Sequence, residues 1–408
     1  VQAVARFGAV GDIISHGDVL LSAAAAERKD DRGNSLNRQG YDALFEAIGP
    51  DLADAGLVFA NLETPIAPRK GQKTRAWFFN APPALLEALR AVGIRALSFA
   101  NNHAYDQGRA GFEETLVELD RAGILLAGAG PACGLAQSAR LFEHAGVRVA
   151  FLAASALYNQ RLNVSAREAC AAELDEQVIL RAVAAARKGG AELVVLSLHW
   201  GVEYRVEPRP EDVLLAHRLV DGGVDVILGH HPHVLQPVEL YPAADGRLGL
   251  IAYSLGNFVS NQARFYAHGL NPLSAGNPRD GVLLRFAAVR RRYGPELERV
   301  ELADVSVQPL WNENNALERR RDPRARVRIR VVADDREAAL ARRALEVERD
   351  PERRIELMKR VELFEVRRSQ AASILGEDLL RDPVELPPEP PAVGPVSEEG
   401  VDSVQPRG

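Results

Sequence analysis

The stretch Ala100-Asn101-Asn102-His103-Ala104-Tyr105-Asp106-Gln107-Gly108 joins an apolar run of strand length, residues 96–99, to a periodic run carrying Phe112, Leu116 and Leu119 that Gly123 stops. A strand, a polar loop and an amphipathic helix in that order are the unit from which α/β folds are assembled. The same order recurs outward in both directions. Strands are expected at residues 4–10, 57–60, 147–153, 193–198, 226–228, 248–253 and 282–289, and helices at 41–55, 83–92, 175–188 and 211–221. Strands separated by helices of this length predict an α/β fold.

Beyond residue 289 the pattern changes. Residues 302–310 and 327–332 read as strands that return to the same sheet system. Residues 350–375 form a charged amphipathic helix with Leu357, Val361, Phe364, Ala371 and Leu375 on one stripe, expected to sit as an appendage or against a second copy of the chain. From Pro383 the last 26 residues hold seven prolines and five acids, the composition of a solvated, disordered tail. The expected domains are 1–333, a helical extension at 334–380 and a tail at 381–408.

Composition removes several classes of function. Two cysteines, Cys133 and Cys170, make neither a disulfide scaffold nor a cysteine-based zinc or iron–sulfur site. A formal charge of −6 gives no bulk reason to expect nucleic acid. No apolar run reaches the roughly 18 residues of a membrane-spanning helix. The opening residues already read as a strand and carry no signal-peptide pattern, so the chain as it stands is expected to be cytoplasmic, or extracytoplasmic if a leader was removed.

Five segments then concentrate carboxylate, amide and imidazole just after apolar runs. They are Gly11-Asp12 with His16 nearby, Asn61-Leu62-Glu63, Asn101-Asn102-His103 with Asp106, His199-Trp200-Gly201, and Gly229-His230-His231-Pro232-His233. Taken singly, Asp12 is an ordinary turn residue, Glu63 or Asn102 a loop hydrogen bonder, and His199 a half-buried core histidine. His231 and His233, two apart on an extended loop, can aim both rings at one centre. Loops after strands converge on one end of an α/β sheet, and this nitrogen and oxygen set suits Zn, Mn or Fe. His144, His217 and His268 lie in contexts that suit surface or packing roles.

The same segments, with Asn61-Leu62-Glu63-Thr64-Pro65, His199-Trp200-Gly201-Val202-Glu203, His231-Pro232-His233-Val234 and Ala252-Tyr253-Ser254-Leu255-Gly256-Asn257-Phe258, resemble the capsule-synthesis CapA family. That family is also called the poly-gamma-glutamate biosynthesis PgsA-type family and belongs to the calcineurin-like metallophosphoesterase superfamily. The matching segments span residues 8–258, and the family pattern runs on to about 310. The resemblance implies a four-layer αββα sandwich with two divalent ions (Mn, Zn or Fe) at one sheet edge. It implies Asp12 and His233 on the first ion, Glu63 as the bridge, and Asn102, His199 and His231 on the second. His103 then matches the proton donor, with Asp106 orienting its ring and His230 as a neighbour. Two positions depart from the superfamily pattern. Ile14 stands where a histidine is usual, which leaves His16 either near the metal or facing substrate, and Glu63 replaces a bridging aspartate.

For substrate, Lys70, Lys73 and Arg75 can receive an anion. Trp77, Phe78 and Phe79 are expected to pack the core or to line a cleft. Trp200, Glu203, Tyr204 and Arg205 are pocket candidates, and Asn257 can polarise a carbonyl or phosphoryl oxygen. The expected activity is metal-dependent hydrolysis of a phosphoester or amide-like bond in an anionic or peptide-like small substrate, by a metal-activated hydroxide with His103 as general acid. Two alternatives stand beside it: epimerase-like proton transfer by Asp12 and a histidine, and a part in capsule or poly-gamma-glutamate synthesis.

Overall fold

Strand β1 (Ala3–Ile13) is apolar on both faces, with Ala5, Phe7 and Ala9 on one side and Val10 and Ile13 on the other, and it takes the central position that a doubly buried strand requires. The structure is a computed structural model and describes residues 1–160, 165–293 and 297–382. β2 (Leu57–Leu62), β3 (Ile94–Ser98) and β4 (Leu125–Ala127) extend the sheet in parallel from one edge of β1. β5 (Ala129–Gly130) belongs to a small ribbon described below. β6 (Arg140–His144) and β7 (Val147–Ser155) form a hairpin at the edge of a second sheet. β8 (Cys170–Ala171) pairs with β5, and Cys170 is disulfide-bonded to Cys133 beside it.

The second sheet continues from β7 through β9 (Leu193–His199), β10 (Val226–His230) and β12 (Leu248–Ala252), all parallel, with β11 (Val238–Pro242) antiparallel at its edge. The chain then returns to the first sheet. β13 (Asn257–Val259) pairs with the end of β1, and β14 (Asp280–Arg292), β15 (Glu298–Asn314) and β16 (Ile329–Ala333) add antiparallel strands on its far side.

Side-chain alternation sets the layers. Along β7, Val147, Val149, Phe151 and Ala153 face the first sheet and meet Phe7, Phe59 and Phe286 there. Ala150, Leu152 and Ala154 face outward to the helices Glu176–Lys188 and Pro210–Asp221, which contribute Ile179, Val183, Ala216 and Leu219. On the opposite outside, Leu85 and Leu89 of the Ala84–Ala91 helix and Phe112 of the Gly108–Arg121 helix cover β2 and β3. The result is the expected four-layer αββα sandwich with extra helices after it.

Three expectations need correction. The helix expected over 41–55 is two short ones, Asp42–Phe45 and Gly49–Asp54, because Gly49-Pro50 ends the first and Pro50 starts the second. The Gly17–Ala26 helix, an alanine-rich run, was not anticipated. The long helix Pro351–Leu375 is no appendage, because its stripe is covered by its own chain. Leu357, Phe364, Ala371 and Leu375 are buried and Val361 is half-buried, with Phe364 packed among Trp311, Val332 and Tyr266. The tail expected from residue 383 onward lies outside the described residues.

Arg367 fastens this helix to the sheet. It is fully buried, pairs with both carboxylate oxygens of Asp280, and donates to Leu273 O at 2.8 Å. A buried pair contributes little net stability, but breaking it strands a charge. Arg367→Met is therefore expected to cost about 3–5 kcal/mol in urea unfolding, and Arg367→Met with Asp280→Leu to recover most of that loss. A single variant as stable as the parent would contradict this.

Candidate metal centre

The carboxyl ends of β1, β2 and β3 in one sheet and of β9 and β10 in the other open on the same side, and the five polar segments meet there. Close backbone approach makes this possible at two glycines. A Cβ on Gly11 would lie 2.0 Å from Gly256 O, and one on Gly229 would lie 1.9 Å from Tyr253 O. Asp12 N–H donates to Gly256 O at 3.0 Å, so the residue is clamped between β2 and β13.

The Asp12 carboxylate is fully buried and fully bonded. It accepts from Asn61 Nδ2 at 2.9 Å, His230 Nδ1 at 3.0 Å, His233 Nδ1 at 3.1 Å and His231 N–H at 3.2 Å. Burial opposes its ionisation, but His230 and His233 outweigh that and hold the carboxyl well below the usual range. Glu63 is the opposite case. It is fully buried, its Oε2 accepts only from Asn61 Nδ2 at 3.3 Å, and its Oε1 has no hydrogen-bond partner. Burial first, and then the Asp12 charge, push this carboxyl well above its ordinary value.

Two of the imidazoles around them, His199 and His231, are held neutral. His199 Nε2 lies 3.0 Å from Asn102 Oδ1, and its Nδ1 lies 3.4 Å from Asn61 Nδ2. These contacts make Nε2 the donor and leave the Nδ1 lone pair facing inward. Burial, then His231, lowers the His199 pKa well below 6.5. Burial, then His233, takes His231 down to about 3, and its buried Nδ1 has no partner. His231 and His233 both adopt positive φ, at 96° and 57°, an outlier pattern for non-glycine residues that clusters at functional sites.

This arrangement fits divalent ions. Asp12, Glu63 and His199 offer ligand atoms within 4.8 Å of one another, and so do Glu203, His231 and His233. A buried carboxylate oxygen without a hydrogen-bond partner, beside the neutral imidazoles of His199 and His231, is a donor set that suits a divalent cation. The grouping joins His199 to Asp12 and Glu63, and brings in Glu203, which had been expected at the substrate. Tyr204 N–H bonds Pro232 O at 2.8 Å, which draws the Glu203 loop onto the His231-Pro232-His233 turn.

His103 stands beside these groups. Its Nδ1 lies 2.8 Å from Asp106 Oδ2, which also accepts Phe79 N–H at 2.7 Å. Its Nε2 lies 4.0 Å from Glu63 Oε1. His16 belongs to neither group: its Nδ1 accepts Asn261 N–H at 3.2 Å, and the ring packs edge-on against Phe79 and lines the adjoining cleft. That cleft has a volume of about 810 Å³, and Arg75, Trp77 and Tyr204 line it as well.

Other candidates fall elsewhere. Trp200 is not a pocket residue. It is 1 % exposed, donates from Nε1 to Tyr253 O, and faces the outer core because neighbours on a strand point to opposite sides and His199 points in. Asn257 is buried, and its Nδ2 is engaged by His233 O, Gln262 Oε1 and Pro278 O, to which it donates, rather than left to polarise a substrate oxygen. Of the two readings for Trp77, core or cleft wall, the structure has the second: it is 74 % exposed and lines the cleft, as does the buried Phe79. Lys70, Lys73 and Arg205 are exposed and do not line the cleft. His144, His217 and His268 lie outside the centre, beside Arg6 O, Glu239 and Glu362 respectively. Asn61 was overlooked as a site residue. It sits two residues before Glu63, hence on the same face of β2, and that spacing was the available signal.

A sandwich with a carboxylate–imidazole centre at its strand ends has the donor groups of a two-metal site. Residues 6–262 match the model of the bacterial capsule synthesis protein PGA_cap family, and the chain belongs to that family. It is 33 % identical over 253 residues to the capsule biosynthesis protein CapA of Bacillus anthracis, covering 60 % of this chain and 59 % of that one. It is 30 % identical over 228 residues to the PGA biosynthesis protein CapA of Bacillus subtilis, covering 55 % and 58 %. The chain thus spans less than two thirds of these relatives. The calcineurin-like phosphoesterase YfkN of Bacillus subtilis superposes with a TM-score of 0.39 at 12 % identity, covering 90 % of this chain and all of that one.

Asn61 tests the construction of the centre, because its one amide nitrogen orients Asp12, Glu63 and His199 together. Asn61→Leu is expected to weaken Mn²⁺ binding about 10–100-fold in calorimetric titration. Unchanged affinity would show that the amide does not orient the ligands.

Proposed function

We propose that the chain is a metal-dependent hydrolase of the metallophosphatase type, cleaving a phosphoester or amide-like bond in a small substrate. The observation that carries this is the buried meeting of Asp12, Glu63, His199, His231 and His233, with Glu63 Oε1 left unpartnered, beside the separately held His103–Asp106 pair. Asp12, Glu63 and His199 would hold one ion and Glu203, His231 and His233 a second, with Asn102 orienting His199 through its ring nitrogen. The oxygen and nitrogen donors suit Mn, Zn or Fe. Bound there, the ions would supply Lewis acidity and an activated water.

The chain's own groups perform the proton transfer. The Asp106 carboxylate accepts from His103 Nδ1–H, which fixes the ring and leaves Nε2 as the atom that passes a proton to the departing oxygen or nitrogen. The Phe79 N–H holds Asp106 in turn, and the Phe79 ring lies 4.4 Å from that of His103, screening it from water. Asn61 Nδ2 donates to both carboxylates and so fixes their relative positions.

The relatives' names support a second level of description, a part in capsule or poly-gamma-glutamate synthesis, within which a hydrolytic step is one role. No helix among the described residues is long and apolar enough to cross a membrane. The Cys133–Cys170 disulfide supports an oxidising compartment as the place of action.

His103→Ala is expected to lower turnover of an aryl phosphate by the Mn²⁺-loaded protein about 10²–10⁴-fold while leaving the bound metal unchanged. Turnover equal to the parent's would remove His103 from the reaction. No turnover by the parent, together with deuterium uptake at a peptide Cα in heavy water, would favour the proton-transfer alternative.

A further inference from the structure

The cleft beside the centre has its own chemistry, and it differs from that of a polyanion channel. Its inner end touches the centre directly. Phe79 packs 4.4 Å from the His103 ring, and Tyr204 lies 6.3 Å from the His233 ring. From there the walls run outward through Trp77 and Phe265. A chain bearing one carboxylate per residue would need a file of free cations along these walls. The cleft offers two arginines, and Arg264 is already engaged, 3.6 Å from Asp18 and stacked on Phe265. Arg75, over the Phe78 ring, has no carboxylate partner among the described residues.

Trp77 adds an independent sign. It sits at the tip of a tight turn closed by paired hydrogen bonds between Arg75 and Phe78, with φ at +65°. Glycine or asparagine takes that conformation readily and an indole does not, so strain and exposure coincide on one side chain at the cleft wall. An exposed aromatic group at the wall of a site is a stacking surface without its partner.

We propose that this cleft selects a substrate carrying a flat aromatic group next to the reacting bond, stacked at Trp77 and Phe79, with at most one further negative charge, taken by Arg75. The proposal rests on the hydrolase reading for where the reacting bond lies, but its test does not depend on turnover.

Trp200 and Trp311 are each 1 % exposed, so Trp77 is the tryptophan whose emission reports on the cleft. The Mn²⁺-loaded full chain is titrated with phenylphosphonate, methylphosphonate and penta-γ-glutamate, with tryptophan emission and calorimetry as readouts. Phenylphosphonate should bind roughly tenfold more tightly than methylphosphonate and change the emission, while penta-γ-glutamate binds no more tightly than methylphosphonate. Trp77→Ala should abolish the preference, and Trp77→Phe should keep it while losing the emission change. Equal affinity for the two phosphonates (including none for either), a preference that survives Trp77→Ala, or tighter binding of the glutamate chain would each overturn the proposal. An intact preference in a protein that hydrolyses neither ester nor amide would sink the hydrolase reading alone. Ester hydrolysis without the preference would sink this one alone.

Discussion

Two carboxylates buried in one cage cannot both stay ionised without positive charge between them, and the centre of this protein is organised by that requirement. Asp12 meets it with four hydrogen bonds. Glu63 does not, since one of its oxygens is buried and unbonded and burial holds His199 and His231 neutral beside it. Leaving a charge in that condition costs several kcal/mol, more than a marginally stable fold spares without return. A divalent ion bound there would supply the missing positive charge, and the His199 and His231 ring nitrogens beside the carboxylates would complete its donor set.

The sandwich serves this cage by bringing chain ends together. Parallel strands of two sheets bring together the candidate ligands at positions 12, 63, 199 and 231–233, nearly the full span of the family match. Each ligand follows a buried strand, so its backbone is held by the ladder and by the core on either side. The residues that bond across the opening do the fine positioning: Asn61 between β1 and β9, and Asn257 beneath the histidine turn. Beyond the matched region, the Pro351–Leu375 helix reaches the same neighbourhood through Arg367, which bonds Leu273, Asn277 and Asp280 close to the carbonyl that holds Asn257.

Much of this was legible in the chain itself. The strand–loop–helix order gave the α/β class, and the apolar runs before Asp12, Glu63, Asn102, His199 and His231 marked the strand ends whose polar groups meet. The exceptions share a cause. Trp200 was read by proximity to His199, but a strand sends consecutive side chains to opposite faces. Asn257 was read as facing substrate, and only three-dimensional packing shows three acceptors already waiting for its amide. Glu203 and Trp77 sit on loops whose conformation depends on contacts far away in sequence, and no periodicity encodes those. The C-terminal helix showed its apolar stripe plainly, but the surface covering it is assembled from β15, β16 and the loop after β13 and is invisible in a local pattern.

The central claim is that the buried carboxylate–imidazole cage is a two-ion centre. Elemental analysis of the full chain after loading with Mn²⁺ and exhaustive dialysis tests it most directly. The account predicts about two equivalents per chain, as a two-metal site requires. Less than one equivalent, in a protein that remains folded, would contradict it.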